Sequence, residues 1–288
     1  NAVGSNIFNV LFILGISALI VPLVVSQQLV RIDVPVMIAV SVVVLILSLD
    51  ANFGRADGLM MVAGLFLYVW FLIYKSRRES IEVKAEYAKE FGIRSARGKS
   101  IVFILAGLAL LVLGSRWLVD SATAFARYLG VSELVVGLTI VAAGTSLPEV
   151  VTSVVAAARG ERDIAVGNVV GSNIFNIMGV LGLSGMVAPR GIEVSTAVIG
   201  FDIPVMIVVA LACLPIFFTG NLISRKEGAL LLGYYAAYTL YLVMAASHHD
   251  ALPRFGAVML YFAIPLTFVT MVILVFRETH KRKRRSWE

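Results

Sequence analysis

Residues 1–22 read NAVGSNIFNVLFILGISALIVP, and residues 168–189 read NVVGSNIFNIMGVLGLSGMVAP. Twelve of the 22 positions are identical without a gap, where chance in sequence this apolar gives roughly two or three. The likeness continues downstream. Asp33-Val34-Pro35-Val36-Met37 is answered by Asp202-Ile203-Pro204-Val205-Met206, and Arg55-Ala56-Asp57-Gly58 by Arg225-Lys226-Glu227-Gly228. The chain is duplicated over a unit of about 170 residues.

The unit is made of membrane helices. Of the 288 residues, 59% are hydrophobic and only 15% charged, against about 25% charged in soluble domains. The apolar residues fall in long blocks, and about 20 such residues span a bilayer as a helix. Ile164–Pro189 and Phe255–Phe276 carry no charge at all. The runs are continuous, with no period-two alternation, which excludes barrel strands. The fold class is all-α and polytopic. Nine helices are expected, near 4–25, 35–49, 57–75, 100–119, 132–157, 164–188, 202–219, 227–246 and 255–276.

Helix parity gives the relation between the copies. The GSNIFN helix is the first of the nine in copy one and the sixth in copy two. An odd offset of five makes the copies enter the membrane in opposite directions, a recurring plan of secondary transporters. The expected divisions are 1–75, the remainder of a first inverted five-helix repeat; 76–99, a basic loop; 100–246, the second repeat; and 247–288, an extra helix with a basic tail. The stretch 75–99 holds eight Lys or Arg and four Glu, and the net charge of the chain is +6. Basic clusters can bind nucleic acid, but beside membrane helices they follow the positive-inside rule. Loop and tail are both assigned to the cytoplasm. Six helices separate them, and an even number returns the chain to one face. Cys213, the one cysteine, lies in an apolar run and is expected to be buried filler. Asp33 and Asp202, each two residues before a proline, are expected to cap helices.

The chemistry concentrates in two motifs. The first is Gly144-Thr145-Ser146-Leu147-Pro148-Glu149. Glu149 falls mid-way along an apolar stretch, where an acid is expensive and is a functional candidate by default. Pro148 removes a backbone donor and breaks the helix, which frees carbonyls such as that of Ala142. Thr145 and Ser146 precede Glu149 by four and three residues and share its helical face. Carboxylate, hydroxyls and carbonyls make a hard oxygen set suited to Ca²⁺ or Na⁺. The second motif is GSNIFN. Ser172 and Asn176 are spaced i,i+4 on one face, and Ser5 and Asn9 repeat this in copy one. Gly167 and Gly171 are expected to serve close helix packing. No P-loop pattern is present, so direct ATP drive has no support. An enzyme with Glu149 as base would need a second catalytic group at membrane depth, and none is found. No cofactor is implied.

On GTSLPE at 144–149 and GNVVGSNIFN at 167–176, with the first-copy partner at 1–9, the chain resembles the sodium/calcium exchanger family of the calcium/cation antiporters. It looks closest to the prokaryotic members, and the resemblance covers nearly all of 1–246. It implies ten core helices in two inverted repeats around a central site for Na⁺ and Ca²⁺. It implies ligand roles for Glu149, Thr145, Ser146 and the Ala142 carbonyl, for Ser172 and Asn176, and for Ser5 and Asn9. Position 176 is an amide where some relatives carry an acid, which bears on ion stoichiometry. The family's first GTSxPE segment would precede Asn1, so the chain is read as N-terminally truncated. The helix at 255–276 lies beyond the ten-helix plan. The expectation is a monomer in the inner membrane of a bacterium or archaeon that exchanges Na⁺ for Ca²⁺ by alternating access. Coupling to H⁺ or K⁺, or a passive channel, are the alternatives.

Overall fold

A computed structural model describes residues 2–78, 97–130, 142–218, 220–247 and 249–267, with 269 and 272. Most of the basic loop, the stretch 131–141 and the basic tail lie outside the described residues. The fold is helical, and among the described residues seven helices are long and apolar enough to cross a membrane. They are α1 (Ala2–Ile20), α2 (Leu29–Leu47), α3 (Arg55–Arg78), α4 (Arg97–Tyr128), α7 (Arg162–Val187), α8 (Val198–Phe218) and α9 (Arg225–Ala246). The remaining two of the nine expected helices are shorter among the described residues. One is broken into α5 (Ala142–Thr145) and α6 (Leu147–Ala158), and the other is α10 (Leu252–Thr267).

Four two-residue strands record the inversion. In copy one β1 (Leu23–Val24) follows α1 and β2 (Asn52–Phe53) follows α2. In copy two β3 (Ile192–Glu193) follows α7 and β4 (Leu222–Ile223) follows α8. The pairing is crossed and antiparallel: Leu23 faces Ile223, and Phe53 faces Ile192. So α1 ends beside the end of α8, and α2 ends beside the end of α7. Consecutive spans end on opposite faces, so α1 and α7 run in opposite directions. Even the turns correspond. Val25 N–H donates to the Asn221 carbonyl and Val194 N–H to that of Ala51, each at 2.9 Å. Ala51 and Asn221 both take left-handed backbone, at φ 62° and 53°.

The same symmetry sets the helix crossings. The second half of α1 packs on α9, and that of α7 packs on α3. Each crossing is a glycine pair. A Cβ built on Gly58 would lie 2.5 Å from the Gly182 carbonyl oxygen, and one on Gly228 would lie 2.8 Å from that of Gly15. Backbones this close leave no room for a side chain. Helices α1 and α7 form the centre, with 61% and 50% of their most apolar stretch buried, whereas the figure for that of α4 is 0%. The exposed Phe103, Leu110 and Trp117 of α4 are the surface a bilayer covers. Cys213 is buried, as expected.

Pro35 and Pro204 act differently from the expectation. Helices α2, α8 and α10 each contain a π segment, Leu29–Asp33, Val198–Asp202 and Met259–Ala263, that ends two residues before Pro35, Pro204 or Pro265. A proline ring clashes with the carbonyl four residues back and has no N–H to offer it. The wider π turn takes up that misfit. Helix α2 therefore runs through Pro35 rather than starting at it. The capping role expected of Asp33 and Asp202 fails for the same reason. Asp33 makes no side-chain cap bond. Its Oδ1 accepts from the Tyr68 hydroxyl at 2.7 Å, and Asp202 Oδ1 accepts from Tyr238 at 2.8 Å.

Candidate functional site

The break expected at Pro148 occurs just before it. Helix α5 stops at Thr145, Ser146 takes φ −101° and ψ 9°, and α6 starts at Leu147. Pro148 then sits in the first turn of α6, where its missing N–H costs nothing. Glu149 also falls in that first turn, where the helix dipole favours a negative group. Thr145 and Ser146 are on the far side of the break and do not share a continuous helical face with Glu149. Gly144 is buried against the Val119 side chain of α4, so its lack of a side chain lets α4 lie close to α5.

Helix α7 carries the rest of the site. Asn168, Ser172 and Asn176, four residues apart, line with Glu149 a cavity of about 300 Å³, completed by Gly167, Gly171 and Phe175. A Cβ at Gly167 or Gly171 would meet no described atom within 4 Å. These glycines open the cavity rather than serving the close packing expected of them. Asn168 Nδ2 donates to Ser153 Oγ at 2.9 Å and approaches the Glu149 carbonyl oxygen at 3.5 Å. That contact fastens α6 to α7 and sets Glu149 over Ser172 and Asn176. Among the described residues, Glu149 is the single ionisable one in the lining. A cation there would meet one carboxylate and otherwise neutral oxygens, the donor set of hard cations.

Four asparagines join the two copies behind this cavity. Asn6 Nδ2 donates to the Asn173 carbonyl at 3.1 Å, and Asn173 Nδ2 to the Asn6 carbonyl at 3.2 Å. Asn9 Nδ2 donates to Asn173 Oδ1 at 2.9 Å, and Asn176 Nδ2 to Asn6 Oδ1 at 3.1 Å. Asn9 and Asn176 are the first residues of matching π segments, Asn9–Leu14 and Asn176–Leu181. Such segments recur at functional sites. Asn9 is 0% exposed, yet among the described residues its Oδ1 has no hydrogen-bond partner. An unpaired buried acceptor costs about 1–3 kcal/mol and calls for an explanation.

Of the expected site residues, the structure gathers Glu149, Ser172 and Asn176 at one cavity. Asn9 lies behind it in the asparagine cluster. Among the described residues, Thr145, Ser146 and Ser5 do not line it; Ser146 is buried and Ser5 partly so, and the Ala142 side chain lies outside the described residues.

A family model described as sodium/calcium exchanger protein matches residues 1–74 and 99–244. The chain belongs to the sodium/calcium exchanger family. The match spans both copies and stops before α10. Among relatives of this family, the Escherichia coli inner membrane protein YrbG is 37% identical over 214 residues, covering 73% of this chain and 65% of that protein. The sodium/calcium exchanger MaX1 of Methanosarcina acetivorans is 42% identical over 144 residues, covering 50% of this chain and 41% of its own length. The structure of the sodium/calcium exchanger from Methanococcus jannaschii superposes with a TM-score of 0.66 at 28% identity, covering 82% of this chain and 72% of that one. This chain thus spans about two thirds of YrbG and less than half of MaX1.

Sequence reasoning missed Asn6, Asn168 and Asn173. Asn168 carried a usable signal, since it precedes Ser172 by the same four residues that separate Ser172 from Asn176. Asn6 and Asn173 carried a weaker one, as polar residues repeated at corresponding positions of both copies.

Proposed function

We propose that the full-length protein exchanges Na⁺ for Ca²⁺ across a bacterial or archaeal inner membrane. One observation supports this above the others: Glu149, on a helix broken within the membrane, shares a cavity with Ser172 and Asn176 of the helix that crosses the opposite copy. A carboxylate beside neutral oxygens suits a hard cation, and the family relatives named sodium/calcium exchangers supply the two ions. In this reading Glu149, Thr145, Ser146, the Ala142 carbonyl, Ser172, Asn176, Ser5 and Asn9 form the site. The inversion supports alternating access. Each copy can take the conformation of the other, so that the cavity opens to one face and then to its opposite. The loop 76–99 and the basic tail then face the cytoplasm.

The coupling ion is tested with the full-length protein in proteoliposomes. Outward gradients of Na⁺, K⁺ and H⁺ are imposed one at a time, and Ca²⁺ uptake is followed. Uptake against a Ca²⁺ gradient with Na⁺ alone is expected. Drive by K⁺ or H⁺ in its place, or uptake that only runs down the Ca²⁺ gradient, would overturn the reading.

A further inference from the structure

Two backbone carbonyls determine the orientation of four side-chain amides. A carbonyl oxygen only accepts hydrogen bonds, so the Asn6 atom facing the Asn173 carbonyl at 3.1 Å must be nitrogen. The Asn173 atom facing the Asn6 carbonyl at 3.2 Å must be nitrogen too. Each of these NH₂ groups has a second hydrogen, and each has a second acceptor. Asn6 Nδ2 lies 3.7 Å from Met206 Sδ, and Asn173 Nδ2 lies 3.6 Å from Met37 Sδ. With both donors of each amide engaged, Oδ1 is the atom that Asn6 and Asn173 have left to offer. Asn9 and Asn176 must meet those oxygens with their own nitrogens, at 2.9 Å and 3.1 Å. Their side-chain oxygens are thereby turned away from the cluster. Asn176 also lines the cavity of Glu149, and Asn9 Oδ1 is left buried without a partner among the described residues.

We propose that Asn6 and Asn173 are positioning residues that make Asn9 and Asn176 present oxygen, and not NH₂, to a transported cation. The control is crossed between copies: Asn173 orients Asn9, and Asn6 orients Asn176. An amide flipped the other way would aim a partial positive charge at the ion. The cluster therefore favours cation binding without adding a ligand or a charge. The proposal rests on the reading of Asn9 and Asn176 as ligands.

The two ideas separate in a double-mutant cycle on the full-length protein, read as the KM for Ca²⁺ in Na⁺-driven uptake. Asn173→Ala keeps the backbone carbonyl that anchors Asn6, so it releases Asn9 alone. Asn9→Ala is expected to raise KM at least several-fold, and Asn173→Ala to raise it by a comparable factor. The double variant should be no worse than Asn9→Ala, whereas Asn173→Ala with Asn176→Ala should multiply their effects. If Asn9→Ala raises KM while Asn173→Ala leaves it unchanged, or if the Asn9 and Asn173 effects simply multiply, the positioning role is wrong and the ligand reading survives. If neither Asn9→Ala nor Asn176→Ala changes KM, the ligand reading itself fails, and the positioning proposal with it. Should Asn173→Ala not yield folded protein, the reciprocal cycle of Asn6→Ala with Asn176→Ala carries the same test, with the same outcomes.

Discussion

The Tyr68 hydroxyl donates to Asp33 Oδ1 across 2.7 Å, joining α2 to α3 where Asp33 is 7% exposed. Copy two repeats the bond between Tyr238 and Asp202 at 2.8 Å, joining α8 to α9. These bonds satisfy a buried carboxylate at Asp33 and a partly buried one at Asp202 within apolar helices, so removing the Tyr68 donor leaves a buried acceptor stranded. Tyr68→Phe is expected to destabilise the protein by about 1–3 kcal/mol. Asp33→Asn, which keeps an acceptor oxygen, should cost less. Thermal unfolding of the purified protein in detergent orders the two variants, and equal midpoints for Tyr68→Phe and wild type would remove the bond from the account.

The glycine crossings give a graded prediction along one helix. A Cβ at Gly58 would meet the Gly182 carbonyl oxygen at 2.5 Å and the Met186 amide nitrogen at 2.6 Å, both backbone. At Gly64 it would meet only the Met178 methyl, at 2.7 Å. A methionine tip moves aside and a backbone does not. Gly58→Ala is expected to cost about 1–3 kcal/mol, with a lower unfolding midpoint, while Gly64→Ala stays near wild type. The reverse order would mean that α3 and α7 are not held at this distance.

The left-handed turn residues differ between the copies. Copy two places Asn221 there and copy one Ala51, at φ 62°. Alanine in this region is strained by about 1–2 kcal/mol, and asparagine tolerates it better. Ala51→Asn should therefore stabilise the protein by up to about 1 kcal/mol. A lowered midpoint on differential scanning fluorimetry would contradict the turn geometry.

How much of this was legible in the sequence depended on whether a feature was local. The inversion could be read, because identity between residues 1–22 and 168–189 and a helix count require no packing. The break beside Glu149 could be read from Pro148, since the proline acts on its own helix. The role of Asp33 could not. Its partner Tyr68 is 35 residues away on another helix, and an acid before a proline looks the same whether it caps or is buried. The asparagine cluster was hidden for a related reason. Ser5 and Asn6 are neighbours in sequence but point about 100° apart on a helix, and only the crossing of α1 with α7 decides which one faces the other copy. The π segments of α2, α8 and α10 were within reach, because each ends two residues before a proline; those of α1 and α7 do not.

The central claim is that Glu149 holds the transported cation, and one measurement tests it most directly. Na⁺-loaded proteoliposomes of the full-length protein are diluted into Na⁺-free buffer containing labelled Ca²⁺, with wild type and Glu149→Gln at equal reconstituted amounts and matching elution in detergent. Glutamine keeps the shape and one oxygen but removes the charge that Glu149 brings to the cavity. The account predicts Na⁺-dependent uptake by wild type and its loss in Glu149→Gln; equal uptake by the two would contradict it.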